Sequence, residues 1–255
     1  MDTLALFTQP SHGDHIVQLY QDDEALAAVV TGYLRPGLEK GEAAIVISTP
    51  AHRDAFARAL RRAGVDCDKA TAEGRLRMLD AADTLQLFMR GNTPDPDLFH
   101  RVIGEAIREL ARRWPAVRAY GEMVDVLWQE GRSDAAVRLE EHWNDLAKKE
   151  RFSLLCAYRM DGLEPRAYEG SLQCICGVHT HFIPAGDPGE LDEAVADVSR
   201  EVLDDELSHM MLAMAEQHAS ATKMPAGQKA LFWLHRNMPL TAERVIAGAR
   251  ARRQA

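Results

Sequence analysis

Short apolar runs alternate with helical periodicities over the first two thirds of the chain. His15-Ile-Val-Gln-Leu-Tyr20 has the length and β-branched content of a strand, and Leu26, Val29, Val30, Tyr33, Leu34 and Leu38 then recur at the spacing of one helix face. Ala43–Ser48 is apolar almost throughout, as a strand buried on both faces requires, and Pro50 stands near the start of a helix reaching about Arg62. Leu76–Asp80 reads as a third strand followed by a short helix near 82–90, Val117–Val124 as a fourth, and Phe152–Tyr158 as a fifth. Between the last three, Leu98, Val102, Ile103, Ala106, Ile107 and Leu110 mark one helix. Ala136, Leu139, Trp143 and Leu146 mark another.

Strands separated by helices predict an α/β fold: a doubly wound, mostly parallel sheet of five or more strands. The pattern changes after Pro184. Residues 188–218 read as a single long helix, and 226–252 as shorter helices split at Pro239. The expected organisation is an α/β domain over 1–185 and a helical extension over 186–255 that serves oligomerisation or partner contact. Met210, Met211 and Met214 on the long helix suit burial against a second chain.

Charge and cysteine usage narrow the class. A net charge of −9 argues against a whole-chain nucleic-acid binder, and the one basic cluster is the terminal Arg244, Arg250, Arg252 and Arg253. No stretch approaches the roughly 20 apolar residues of a membrane helix, and no secretory leader is visible. Four unevenly spaced cysteines suit a reducing cytoplasm better than a disulfide framework. A soluble cytoplasmic protein is the expectation.

In an open α/β sheet, ligands bind outside the carboxyl ends of the strands. The loop after the first strand, Tyr20-Gln-Asp-Asp-Glu24, is therefore the first place to look. It holds no Gly-x-x-x-x-Gly-Lys-Ser/Thr, and no Gly-x-Gly-x-x-Gly occurs in the sequence. Asp22, Asp23 and Glu24 put carboxylates at the positive end of a helix dipole, the place where phosphates would sit. They read as helix caps or as ligand contacts. Either way a polyphosphate is repelled, whereas a cation or a neutral hydrogen-bonding ligand is not.

Asp14-His-Ile-Val-Gln-Leu-Tyr-Gln-Asp-Asp-Glu24, Gly37-Leu-Glu-Lys-Gly-Glu42, Tyr120-Gly-Glu-Met-Val-Asp125, Leu139-Glu-Glu-His-Trp-Asn144, Leu154-Leu-Cys-Ala-Tyr158 and Ile175-Cys-Gly-Val-His-Thr-His-Phe-Ile-Pro184 follow one another in order. Together they resemble the MEDS family, the sensory domain of methanogens, methylotrophs and the dichloromethane-responsive regulator. The likeness runs from about 11 to 185. It implies a RecA/KaiC-like domain without the phosphate loop that senses small hydrocarbon-derived molecules. Glu122 and Asp125 stand near the carboxyl end of the fourth strand, where related ATPases keep metal-binding and catalytic acids. With Tyr20, Asp22 and Asp23 they are candidate ligand contacts, and Trp128 is a candidate apolar wall.

Cys174, Cys176, His179 and His181 are the residue types of a Cys₂His₂ zinc site within eight residues. On a helix, Cys174 and His181 share one face and Cys176 and His179 the opposite one, so no single ion takes all four. On a hairpin turning at Gly177-Val178 all four share one side. Both readings stand on sequence. His15, at the start of the first strand, is a further candidate ligand.

The expected function is a small-molecule sensory module that acts through a homodimer or a signalling partner via its C-terminal helices. It binds no membrane and hydrolyses no nucleotide. The alternative is a metal-dependent enzyme or metal-binding sensor using 174–181 with zinc or another divalent ion. A sequence without a Gly-x-Ser-x-Gly, His-Glu-x-x-His or Cys-x-x-Cys motif favours the non-enzyme.

Overall fold

The runs apolar on both faces become the strands at the middle of a sheet, and the amphipathic segments become the helices that cover it. A computed structural model describes residues 3–164, 168, 171–219 and 224–253, with the side chains of Thr3 and of 171–174 outside that description. The chain packs as two units, one of residues 1–158 with 178–181, the other of 159–177 with 182–255.

The first unit begins α1 (Thr3–Thr8), β1 (His15–Tyr20), α2 (Asp23–Glu39), β2 (Ala43–Ser48), α3 (Pro50–Arg62), α4 (Cys67–Ala72), β3 (Leu76–Asp80) and α5 (Ala81–Phe88). A small hairpin follows, β4 (Met89–Arg90) and β5 (Thr93–Pro94), then α6 (Pro96–Phe99), a π-helical turn His100–Gly104 and α7 (Glu105–Arg113). The unit closes with β6 (Val117–Gly121), α8 (Met123–Gln129), α9 (Ser133–Ala147) and β7 (Ser153–Arg159). Downstream come α10 (Ser171–Val178), β8 (His181–Ile183), α11 (Pro188–Leu203), α12 (Asp205–His218), α13 (Ala226–Asn237) and α14 (Pro239–Arg253).

Six strands form the main sheet in the order β3-β2-β6-β7-β1-β8, so the α/β fold expected from the sequence is the one observed. β2 runs parallel to β3 and β6, and β6 parallel to β7, with Ile47 opposite Gly121 and Gly121 opposite Cys156. β1, β2 and β6 are buried at every position. Successive strand residues face opposite sides of the sheet. The ring of Tyr120 meets Phe56 of α3 at 5.2 Å, while Trp143 of α9 lies 3.7 Å from where a Cβ on Gly121 would stand. Helices α3 and α9 thus cover opposite faces. The carboxyl ends of β2 and β6 lie between them, at a topological switch point where α/β folds form a crevice.

Three details depart from the sequence reading. The fourth strand ends at Gly121, because Glu122 leaves the extended region (φ −114°, ψ 11°) as the residue before α8. The helix expected over 98–110 carries the π-helical turn at His100–Gly104. The single helix expected over 188–218 is two, broken at Asp204, whose φ of 70° no helix accepts. The Asp204 carboxylate then caps α12 by accepting the Leu207 N–H at 3.0 Å, and Asp205 and Glu206 follow in its first turn.

In the second unit, Leu191, Val195 and Val198 of α11 are buried with Leu231 and Leu234 of α13 and Val245 and Ile246 of α14. No helix among the described residues is long and apolar enough to cross a membrane.

Candidate functional site

Two polar clusters in the first unit bring candidate residues together. The first gathers at the carboxyl ends of β1, β2 and β6. Asp22 caps α2, its Oδ1 accepting the Ala25 N–H at 2.7 Å, which is the capping role open to it from sequence. Asp23, the first residue of α2, lies 3.3 Å through its Oδ1 from Nε2 of His52. The other ring nitrogen of His52 is 2.7 Å from Oε2 of Glu122. Glu122 is only 1% exposed and also accepts the Tyr120 hydroxyl at 3.0 Å and the Thr49 N–H. An exposed acid, a buried imidazole and a buried acid thus form one chain that reaches the switch point.

Beside that chain, the Tyr20 hydroxyl donates to Oδ2 of Asp125 at 2.9 Å, and Gln129 donates to Oδ1 of the same carboxylate at 3.0 Å. The hydrogen bonds that His52 donates to Glu122, and then to Asp23, raise its pKa against the opposing effect of burial. Burial pushes the Tyr120 hydroxyl well up, and the Glu122 charge adds to it. Of the candidates, Tyr20, Asp23, Glu122 and Asp125 come together here. His52, Thr49 and Gln129 join them without having been singled out from sequence.

The second cluster sits between the sheet and α9. His15 of β1, Glu140 of α9, Cys156 of β7 and His179 each offer one donor atom, and these atoms lie within 4.8 Å of one another, all buried. Nε2 of His15 is 3.1 Å from Oε2 of Glu140 and 3.4 Å from Sγ of Cys156, and that sulfur is 3.3 Å from the same Oε2. Nε2 of His179 is 3.3 Å from the other carboxylate oxygen. The two imidazole rings lie 4.0 Å apart between centroids.

Outer contacts hold these groups in place. Nδ1 of His15 is 2.8 Å from Oδ1 of Asn144, whose amide donates to the Val178 carbonyl at 2.8 Å. That orientation of the amide makes Nδ1 a donor and leaves Nε2 as the nitrogen that faces Glu140 and Cys156. The Tyr158 hydroxyl donates to Oε1 of Glu140 at 2.8 Å, and Trp128, half-buried, stands edge-on to the Tyr158 ring at 5.9 Å. Burial lowers the pKa of His15, and His179 beside it adds to the effect. Burial alone would raise Glu140, but His179 and His15 outweigh it and hold the carboxyl below the usual carboxylate range. Burial and the Glu140 charge push the Cys156 thiol well up.

The Cys/His segment divides between these surroundings. It is a helix over Ser171–Val178, not a hairpin turning at Gly177-Val178. The chain then leaves the helix because Thr180 is drawn along β1: its N–H donates to the His15 carbonyl at 2.7 Å and its hydroxyl accepts the His15 N–H at 2.7 Å. His179 thereby reaches the buried cluster. His181 pairs with Asp14 at 3.2 Å. Cys176 is buried in the second unit, where burial pushes its thiol up, and the Cys174 side chain lies outside the described residues.

Glu140 and Cys156 did not stand out from the sequence. Glu140 left a trace: it lies four residues after Ala136 and three before Trp143, a carboxylate on the apolar side of its helix.

The model of the family described as the MEthanogen/methylotroph, DcmR Sensory domain, MEDS, matches residues 14–180. The chain belongs to the MEDS family. The matched stretch takes in both clusters, from His15 to His179, so both lie within the sensory domain that defines MEDS. A search of the curated proteins returns no match.

Proposed function

We propose that this MEDS chain is a small-molecule sensor whose ligand binds at the carboxyl edge of β1, β2 and β6, and which signals without nucleotide hydrolysis. The observation that carries the reading is the Asp23–His52–Glu122 chain at the switch point. It is prebuilt, reaches from solvent into the core, and offers donors and acceptors to a polar ligand. Asp22 already occupies the N-terminus of α2, the place a phosphate would take, so the pocket selects neutral or cationic molecules over nucleotides. Tyr20 and Asp125 widen the polar surface, and Trp128 supplies an apolar wall nearby. Output runs through the C-terminal helices to a second copy or a signalling partner, in the cytoplasm.

Native mass spectrometry of protein purified from its own host, run beside the His52→Gln and Asp125→Asn variants, tests the reading. A retained small molecule that both variants lose supports it. A molecule retained equally by all three, or tight binding of ATP with magnesium, overturns it.

A further inference from the structure

We propose that His15, Glu140, Cys156 and His179 form a binding site for one divalent transition-metal ion of the zinc type. Zinc held tetrahedrally at about 2.0–2.3 Å from N, O and S donors sets those donors roughly 3.3–3.8 Å apart. The three separations linking His15 Nε2, Glu140 Oε2 and Cys156 Sγ are 3.1, 3.4 and 3.3 Å, one nearly equilateral face of such a tetrahedron. His179 Nε2, 3.3 Å from the same carboxylate, supplies the fourth corner. A hydrogen-bonded core network has no need of four mutually close donors of these types.

Charge points the same way. A divalent ion, one carboxylate and one thiolate sum to zero with two neutral imidazoles, so the loaded site is neutral in a place where net charge is costly. Entry of the ion replaces the thiol proton of Cys156, which leaves to solvent, by a metal–sulfur bond. The surrounding contacts are those a metal site uses: Asn144 fixes which nitrogen of His15 points inward, and Tyr158 orients the Glu140 carboxylate. A sulfur–nitrogen–oxygen donor set excludes magnesium and calcium, which take oxygen. Four protein donors and complete burial suit a closed site rather than an open catalytic one. The ion would tie Val178–His181 to β1, β7 and α9 within the first unit.

Cobalt(II) titration of the full chain, stripped of metal by a chelator and carrying no polyhistidine tag, decides the matter. The expected result is about one equivalent bound per chain, with intense tetrahedral visible bands and a near-ultraviolet sulfur-to-cobalt band, both displaced by zinc. Cys156→Ser removes the sulfur band and His179→Gln abolishes the tetrahedral spectrum, while Cys176→Ser keeps both. Wild-type protein without a sulfur-to-cobalt band overturns the proposal, and needs no variant to fold. So does a sulfur band that survives Cys156→Ser, or one lost in a folded Cys176→Ser, which would move the ion to the 174–181 segment. The result is independent of ligand retention at the carboxyl edge, so either reading can fail alone.

Discussion

Nδ1 of His52 lies 2.7 Å from Oε2 of Glu122, a carboxylate that solvent barely reaches. The contact raises the pKa of His52 above its ordinary 6.5. A group whose folded pKa is raised contributes stability that is fully present below the unfolded value and lost as pH climbs through the folded one. The stability difference between the wild type and His52→Gln should therefore be largest on the acid side of 6.5 and shrink as the solution becomes alkaline. Urea unfolding of both proteins, from above the carboxylate range to mildly alkaline pH, measures it. A difference that grows with pH would contradict the ion pair.

Glu122 accepts from Thr49, His52 and Tyr120 at once. In Glu122→Gln an amide NH₂ meets one of those donors, and a buried N–H or O–H goes without an acceptor. The expected loss is about 1–3 kcal/mol of unfolding free energy with an unchanged far-ultraviolet circular dichroism spectrum. Chemical denaturation of this variant should show it, and an undiminished midpoint would mean the carboxylate is not the acceptor described.

Much of this fold was legible in the sequence because its strands are buried on both faces. Ala43–Ser48 and His15–Tyr20 are apolar enough to be strands wherever they occur, and their observed limits are those the pattern marks. The carboxyl-edge cluster was half legible: Glu122 and Asp125 follow a strand, and the crevice rule points to strand ends. His52 escaped because nothing local tells a histidine in the first turn of α3 from a solvated one. The buried cluster escaped for a different reason. Its four residues come from β1, α9, β7 and a segment beyond α10, so their meeting is a property of strand order, with β7 beside β1, that spacing along the chain does not encode. The break at Asp204 is hidden in the sequence because the apolar positions continue in phase on both sides of it. Only the acid string Asp204-Asp205-Glu206 marks a new helix start.

Two glycines in α2 should answer alanine in opposite directions. A Cβ on Gly37 would collide with Nε of Arg118 and come within 2.6 Å of Oε2 of Glu42. That guanidinium is buried and fixed by Glu42 at 2.6 Å and by the carbonyls of Phe7 and Tyr33, each also at 2.6 Å, so it has no room to yield. Helix propensity offers Gly37→Ala up to about 1 kcal/mol, and overpacking costs about 1–3 kcal/mol. The overpacking wins, and the melting temperature falls. Gly32→Ala, whose Cβ would meet only the Phe7 ring at 3.9 Å, should raise it. Calorimetry of the two variants checks the pair, and a stabilised Gly37→Ala would refute the fixed arginine.

Leu207, Met210 and Met214 recur at three- and four-residue spacing on α12 and remain 49%, 50% and 47% exposed, whereas Met211 is 3% exposed. The methionines expected to meet a second chain are thus divided, with Met211 in the core of its own unit. The proposed homodimer should bury the outward stripe, since flexible unbranched side chains conform readily to an apolar partner. Light scattering on a size-exclusion column should give twice the chain mass for the wild type. Met210→Glu combined with Met214→Glu should give the single-chain mass. Because both side chains face outward, the double variant should keep its unfolding free energy within about 0.5 kcal/mol of the wild-type monomer value. A wild type that runs as a strict monomer at every concentration would remove the dimer and leave a separate signalling protein to take the stripe.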